Sequence, residues 1–224
     1  MDVRPLSPKT WDALAELFRE GGDPRWCWCQ FWRLRSKDMR DLKVPELRER
    51  LQAQAVVAAE AAEAAGGDEA TGAAGAAADR AKDSEEPGRE EPPGLVAFDD
   101  DGRAVGWISL GPRDAYARIT HSKVIPKIDD RPVWSVVCFA VSARARGRGV
   151  ARTLLEAGVA FARSRGAVAL EAYPVAIEAG EPIHAESAFT GTLPMFRRLG
   201  FEVVAERASD PSSRHPRVVV RLEL

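Results

Sequence analysis

Residues 133–155 run Val133-Trp134-Ser135-Val136-Val137-Cys138-Phe139-Ala140-Val141, then Ser142-Ala143-Arg144-Ala145-Arg146-Gly147-Arg148-Gly149, then Val150-Ala151-Arg152-Thr153-Leu154-Leu155. The first nine are β-prone and almost continuously apolar, the pattern of a strand buried on both faces. The last six open a helix with Val150, Ala151, Leu154, Leu155, Gly158, Phe161 and Ala162 on one face and Arg152, Glu156 and Arg163 on the other. Between them, glycines let the backbone turn tightly, and the free N–H groups of the helix's first turn converge with the positive end of the helix dipole behind them. That is an anion cradle. Each N–H to phosphate bond is charge-assisted and worth about 1.5–3 kcal/mol, so roughly three or four of them hold a pyrophosphate. Residues 131–166 contain seven arginines and one acid, Glu156, which favours a polyanionic ligand. A Walker-type loop needs a Lys-Ser/Thr pair after its last glycine, where Val150-Ala151 stand. A dinucleotide fingerprint needs a third glycine where Arg152 stands.

Working outward, Gly166 ends the helix and residues 167–175 form a second central strand. Residues 193–199 read as a short helix stopped by Gly200, and 201–205 and 218–224 as closing strands. Upstream, 95–98 and 104–110 flank the Asp101-Gly102 pair as a β-hairpin. Ser7 followed by Pro8 looks like a helix N-cap, with Trp11, Leu14, Leu17 and Phe18 at helical spacing until Gly21-Gly22. Strands alternating with helices in the second half predict an α+β domain, a mixed sheet with helices on its faces.

The chain has 224 residues and a formal net charge of -2, which by itself argues against a nucleic-acid partner. That charge averages two unlike regions. Residues 53–93 carry ten acids against three bases, a net of -7, leaving +5 on the other 183 residues. Fifteen alanines fall within 53–81, and no bulky apolar side chain follows Val57 within the segment. With so little to bury, 66–93 reads as a disordered or weakly helical insert, and 47–65 as a helix extended until Gly66-Gly67. The expected organisation is therefore one domain over 1–224, interrupted by an Ala/Glu/Gly-rich insert at 53–93. Three cysteines cannot all pair, no apolar run is long enough for a membrane span, and no signal peptide stands at the start. A cytoplasmic protein without a membrane partner is expected, with monomer and homodimer both open.

The run Val-Cys-Phe-Ala-Val, then R-x-x-G-x-G, then Val-Ala and an amphipathic helix resembles the acyl-CoA-binding core of the GNAT superfamily of acetyl-CoA-dependent N-acetyltransferases. Met195-Phe196-Arg197-Arg198-Leu199-Gly200-Phe201 resembles that superfamily's closing helix and Leu-Gly-Phe ending. The resemblance implies acetyl-CoA as co-substrate and a small-molecule or peptide amine as acceptor. It implies that backbone groups of Phe139, Ala140 and Val141 meet the acetyl carbonyl and the pantetheine arm. Amides of Arg146, Gly147, Arg148, Gly149, Val150 and Ala151 would hold the pyrophosphate, with Arg144 in the family's Gln/Arg position. An N–H near Phe139 would stabilise the oxyanion formed when the amine attacks.

The catalytic side chains transfer less completely. Many relatives carry a glutamate early on the central strand, and Ser135 stands there. Others place the base in a Leu-Glu-Val run on the next strand. Here that run is Leu170-Glu171-Ala172, which makes Glu171 the candidate base. The superfamily's tyrosine acid is replaced by Phe196, leaving Tyr173 as the substitute candidate with Thr190 and Thr192 behind it. The missing pair supports a rival expectation, a catalytically inactive acyl-CoA-binding module. In Trp26-Cys27-Trp28-Cys29-Gln30-Phe31-Trp32, the tryptophans Trp26, Trp28 and Trp32 are candidates to wall the acceptor pocket, against the plainer reading of a hydrophobic plug. Cys27-x-Cys29 lacks two further ligands at zinc spacing, so no metal site is expected.

Overall fold

The computed structural model describes residues 1–20, 24–65, 91–178, 180, 181, 183, 188–207 and 215–224. In chain order these form β1 (Asp2–Pro5), α1 (Trp11–Arg19), α2 (Pro24–Cys27), α3 (Ser36–Met39), α4 (Val44–Ala64), β2 (Gly94–Phe98), β3 (Ala104–Pro112), α5 (Ala117–Thr120), β4 (Trp134–Val141), α6 (Val150–Ser164), β5 (Ala169–Ala172), α7 (Leu193–Arg197), β6 (Glu202–Glu206) and β7 (Val218–Glu223). The strands make one seven-stranded sheet in the order β1-β2-β3-β4-β5-β7-β6. Every neighbouring pair is antiparallel except β4 with β5. The mixed, helix-flanked sheet expected from the sequence is the architecture of the chain.

Alternation along the strands sorts the core into two layers. One face presents Trp107, Val137, Tyr173 and Val219 to α1 (Leu14, Phe18) and α4 (Leu47, Leu51, Ala55). The other presents Ile108, Leu110, Val136, Leu170 and Val220 to α6 (Leu154, Leu155, Ala162) and to Phe196 of α7. Between the hairpin strands there is no spare room at Gly94. A Cβ there would lie 2.1 Å from the Ile108 carbonyl oxygen and 2.5 Å from the Trp107 ring. Gly94→Ala is therefore expected to cost about 1–3 kcal/mol, since backbone must shift to admit the methyl. A urea midpoint equal to the parent's, with unchanged slope, would show that β2 and β3 part freely there.

Several boundaries differ from the sequence expectation, each for a local reason. The Ser7-Pro8 stretch is a turn rather than a helix start. Thr10 Oγ1 accepts the Ser7 N–H at 3.0 Å and donates to the Pro5 carbonyl at 3.1 Å, so α1 begins at Trp11. β5 ends at Ala172 instead of 175, just before Pro174, which has no N–H for a ladder. Of 53–93, residues 53–64 belong to α4, where Ala55 and Ala58 are buried, and Pro92 and Pro93 are buried leading into β2. The expected disorder of 66–90 lies outside the described residues.

One irregularity shapes the site. Ser109 faces Cys138 and Leu110 faces Val136, so Val137 is an extra residue, a β-bulge in β4. Bulges bend the strand that carries them. β4 pairs with β5 at Trp134–Leu170, Ser135–Glu171 and Val136–Ala172, and then the two parallel strands separate. Phe139, Ala140 and Val141 lie past the parting. Among the described residues no helix is long and apolar enough to cross a membrane.

Candidate active site

Beyond the parting, β4 runs through Ser142 into a 3-10 turn at Ala143–Ala145 and then into the glycine turn. Gly147 and Gly149 adopt φ of 75° and 81°, a left-handed conformation natural to glycine. The Thr153 N–H to Gly149 carbonyl bond, 3.0 Å, is the first of the α6 ladder, so the amides of Val150, Ala151 and Arg152 precede it. A Cβ on either glycine would meet nothing within 4 Å, so the space in front of the turn is open. Arg144, Arg146 and Arg148 are exposed around it. Donors, cations and room are what a pyrophosphate needs. The surroundings add one feature absent from the sequence reading. Glu20, just past the last turn of α1, accepts from Ser142 Oγ at 2.5 Å and pairs with Arg144 at 2.8 Å. A cavity of about 110 Å³ lined by Leu17, Phe18, Glu20, Ala140 and Arg146 lies between these elements.

At the parting itself the Phe139 N–H donates to the Phe189 carbonyl at 2.6 Å. The turn that supplies Phe189 is tied back by Val175 N–H to the Gly191 carbonyl at 3.0 Å. Phe196, at the position of the missing tyrosine, is fully buried and packs edge-on against Phe139 and Phe201, with ring centroids 6.2 and 5.1 Å apart.

Glu171 on β5 and Tyr173 just past its end project onto the helical face that carries α1 and α4, into a buried polar cluster. Glu171 is 1% exposed. Arg221 Nη2 donates to its Oε1 at 2.6 Å, Tyr173 Oη donates to its Oε2 at 3.3 Å, and an Arg113 guanidinium nitrogen lies 3.7 Å from Oε2. The Tyr173 hydroxyl also meets Ser135 Oγ at 3.0 Å. Arg221 donates from its other side to Asp129 at 2.6 Å, which holds the Asp129 carboxyl below its usual range. Burial first, and then the Glu171 charge, push the Tyr173 hydroxyl well above its ordinary pKa, so it is a neutral proton donor. The hydrogen bond to Asp129, followed by that to Glu171, raises the Arg221 guanidinium.

Sequence reasoning brought Glu171 and Tyr173 forward but missed Arg113, Asp129 and Arg221, and passed over Ser135. The available signal was in β7. Arg221 sits between inward-facing valines and a leucine, and the register sets it opposite Glu171, an opposite-charge cross-strand pair. The three tryptophans part company. Trp26 is 58% exposed, with the Arg25 guanidinium 4.5 Å from its ring centroid. Trp28 is core, stacked on Trp11 at 5.8 Å and tilted on Phe18 at 5.3 Å. Trp32 alone reaches the polar cluster, stacking on Tyr173 at 6.2 Å and packing near Phe189 at 6.5 Å.

Cys29 is buried and accepts the Trp107 indole N–H at 3.1 Å. A hydrogen bond with the Cys138 thiol, reinforced by burial, holds its pKa well above the ordinary value, so it is an inert thiol rather than a nucleophile. Trp28 and Cys29 both take positive φ, 45° and 54°, a conformation that non-glycine residues adopt at a cost. Among the described residues no group of three or more His, Cys, Asp or Glu is arranged to hold a metal.

The model of the Acetyltransferase (GNAT) family matches residues 57–181, more than half of the chain. Similar solved structures include Naa20 of Chaetomium thermophilum in complex with a bisubstrate analogue, at 15% identity, covering 100% of this chain and 87% of that one, TM-score 0.47. A GCN5-related N-acetyltransferase from Kribbella flavida is 18% identical, covering 100% and 97%, TM-score 0.46. Nourseothricin acetyltransferase is 20% identical over 58% of this chain and 64% of that one, TM-score 0.37, so under two thirds of that chain's length is spanned. No curated protein matches the sequence. The bulged and parted central strands, the open glycine turn and the family match agree: the chain belongs to the GNAT acetyltransferase family, a family of acyltransferases.

Proposed function

We propose that the chain transfers an acetyl group from acetyl-CoA to a primary amine by direct attack. One observation carries the reading: β4 and β5 part after three residue pairs, and the parting leads to an open, arginine-flanked turn at the N-terminus of α6. The pyrophosphate binds the amides from Arg146 through Ala151, and the pantetheine arm runs along Phe139, Ala140 and Val141 in the gap. Arg144 exchanges Glu20 for a phosphate oxygen. The Phe189 carbonyl gives way to the thioester carbonyl, whose oxygen then takes the Phe139 N–H as its oxyanion donor.

The amine nitrogen forms a bond to the acetyl carbon, the carbon–sulfur bond breaks, and the thiolate leaves with the electron pair. The nitrogen must lose one proton and the thiolate gains one. Tyr173 and Glu171 serve that transfer as a pair. The oxygens of Glu171 are already held by Arg221, Arg113 and Tyr173, so a proton reaches it through the Tyr173 hydroxyl. The neutral hydroxyl in turn donates to the departing sulfur. Trp32 covers this pair from the acceptor side.

The test is calorimetric titration with acetyl-CoA, followed by a coenzyme A release assay over a panel of amines with the parent and Tyr173→Phe. Micromolar binding and amine-dependent release are expected, with kcat in Tyr173→Phe lowered about 10²-fold, the usual scale of a lost general acid or base. Absence of binding would refute the reading. Binding without release for any amine would favour the non-catalytic acyl-CoA-binding module, and an unchanged kcat in Tyr173→Phe would remove the tyrosine from the mechanism.

A further inference from the structure

α3 and α5, on the helical face that also carries Trp32, flank an open cleft of about 390 Å³ lined by Arg35, Ser36, Lys37, Arg118, His121 and Ser122. Its charged side chains are all basic. Asp38, the next residue along α3, is turned to Arg35 at 2.8 Å and cancels that charge, which leaves Lys37, Arg118 and His121. Arg118 is the fixed element. Its Nε donates to the Phe31 carbonyl at 2.6 Å, its Nη1 to Ser36 Oγ at 3.0 Å, and its guanidinium lies over the Phe31 ring at 3.9 Å. It has no carboxylate partner among the described residues. Partial burial lowers its pKa, as expected of a cation taken from water without a counter-charge.

The cleft is linked to the polar cluster through Trp32. The Arg118 backbone N–H donates to the Trp32 carbonyl at 3.0 Å, and the ring of the same Trp32 stacks on Tyr173 at 6.2 Å. Tyr173 is fully buried behind Trp32, but Trp32 also packs near Phe189, whose carbonyl accepts the Phe139 N–H, so the edge of Trp32 leads from Arg118 toward the parted strands. Guanidinium and ammonium groups beside two serine hydroxyls suit a carboxylate or a phosphate oxygen.

We infer that the acceptor is an anionic amine, whose carboxylate or phosphate sits in the Arg118–Lys37 cleft while its amine reaches past Trp32. This rests on the amine acetylation proposed above and narrows it to a substrate class. Peptides with an acidic side chain near the N-terminus and small amines bearing phosphate or carboxylate share the required chemistry, and the two arms of the experiment separate them.

The experiment uses the full chain at saturating acetyl-CoA, with matched acceptors that differ in one anionic group. Ala-Glu-Ala amide is compared with Ala-Gln-Ala amide, and phosphoethanolamine with ethanolamine. At low salt, the anionic member of at least one pair is expected to show a KM about tenfold below its neutral partner, the worth of one charge-assisted contact. The gap should shrink at about 0.5 M salt, because contacts at the protein surface are screened there. It should fall to about threefold or less in Lys37→Glu, an exposed position where reversal spares the fold, and in Arg118→Lys, which keeps the charge but loses the planar fork. Equal KM values in both pairs, acetylation of neither member, or a gap that survives Lys37→Glu overturns the cleft assignment. Binding of acetyl-CoA alone, measured by calorimetry, separates these results from failure of the acetyl-transfer reading, which would show as no binding and would overturn both.

Discussion

Gly147→Glu is expected to abolish acetyl-CoA binding while leaving the protein folded. The position is open, with no atom within 4 Å of a built Cβ, so the new side chain meets no steric barrier. Its φ of 75° costs a non-glycine residue about 1–2 kcal/mol, a tolerable loss for a domain of this size. The carboxylate then lies in the concavity formed by the amides before Thr153, at the positive end of α6. It satisfies those donors itself and repels the phosphates. Losing even two charge-assisted bonds of about 1.5–3 kcal/mol each weakens binding by roughly 10²–10⁴-fold. Calorimetry beside a far-UV spectrum checks this, and parent-like affinity in a folded variant would show that the turn does not hold the phosphates. Gly147→Ala is the control, since it pays the backbone strain without the charge.

Arg221→Met is expected to produce the largest loss of stability among single changes at the polar cluster. Arg221 ties β7 to Glu171 of β5 and to Asp129 before β4, each at 2.6 Å, and its side chain and that of Glu171 are 7% and 2% exposed. Removing one partner of a buried ion pair strands the other, at a typical cost of about 3–5 kcal/mol. At about 2–4 °C per kcal/mol for a chain of this length, the melting temperature should fall by roughly 6–20 °C. The double variant Arg221→Met, Glu171→Met should be less destabilised than the single, because no carboxylate is then left buried against a lost partner. A single variant as stable as the parent would mean that water reaches Glu171. The pH dependence has a definite sign. The Asp129 carboxyl is depressed by its bond to Arg221, so its contribution is present above the unfolded carboxylate value and lost as pH falls through the lower folded value. The gap between parent and variant should narrow below about pH 4.

What could be read in advance follows from how local each signal is. The β4–turn–α6 unit is legible because a doubly buried strand, a glycine turn and an amphipathic helix are each written in consecutive residues. β1 was not foreseen. Asp2–Pro5 has one apolar side chain and a proline, and it becomes a strand by pairing with β2 at the sheet edge, where a missing N–H is tolerated. The polar cluster was half visible. Glu171 and Tyr173 stand two residues apart at the end of β5, whereas Arg221 follows Glu171 by fifty residues and meets it through strand register alone. The tryptophan-rich segment shows the limit of composition. Trp26, Trp28 and Trp32 differ in role because the left-handed Trp28 and Cys29 turn successive side chains to solvent, to the core and to Tyr173, a direction the residue types do not encode.

The parting of β4 from β5 also bears on how the molecule stays whole. It divides the sheet into a four-stranded and a three-stranded leaf, joined by the α6 crossover, three ladder pairs and the ties of Arg221 and Arg113. Anything lodged in the gap touches both leaves at once and acts as a fastener between them. A ligand that binds this way stabilises the folded chain in proportion to the logarithm of its concentration over its dissociation constant. Cellular abundance of the protein then becomes a readout of the pool of whatever fills the gap, independent of turnover.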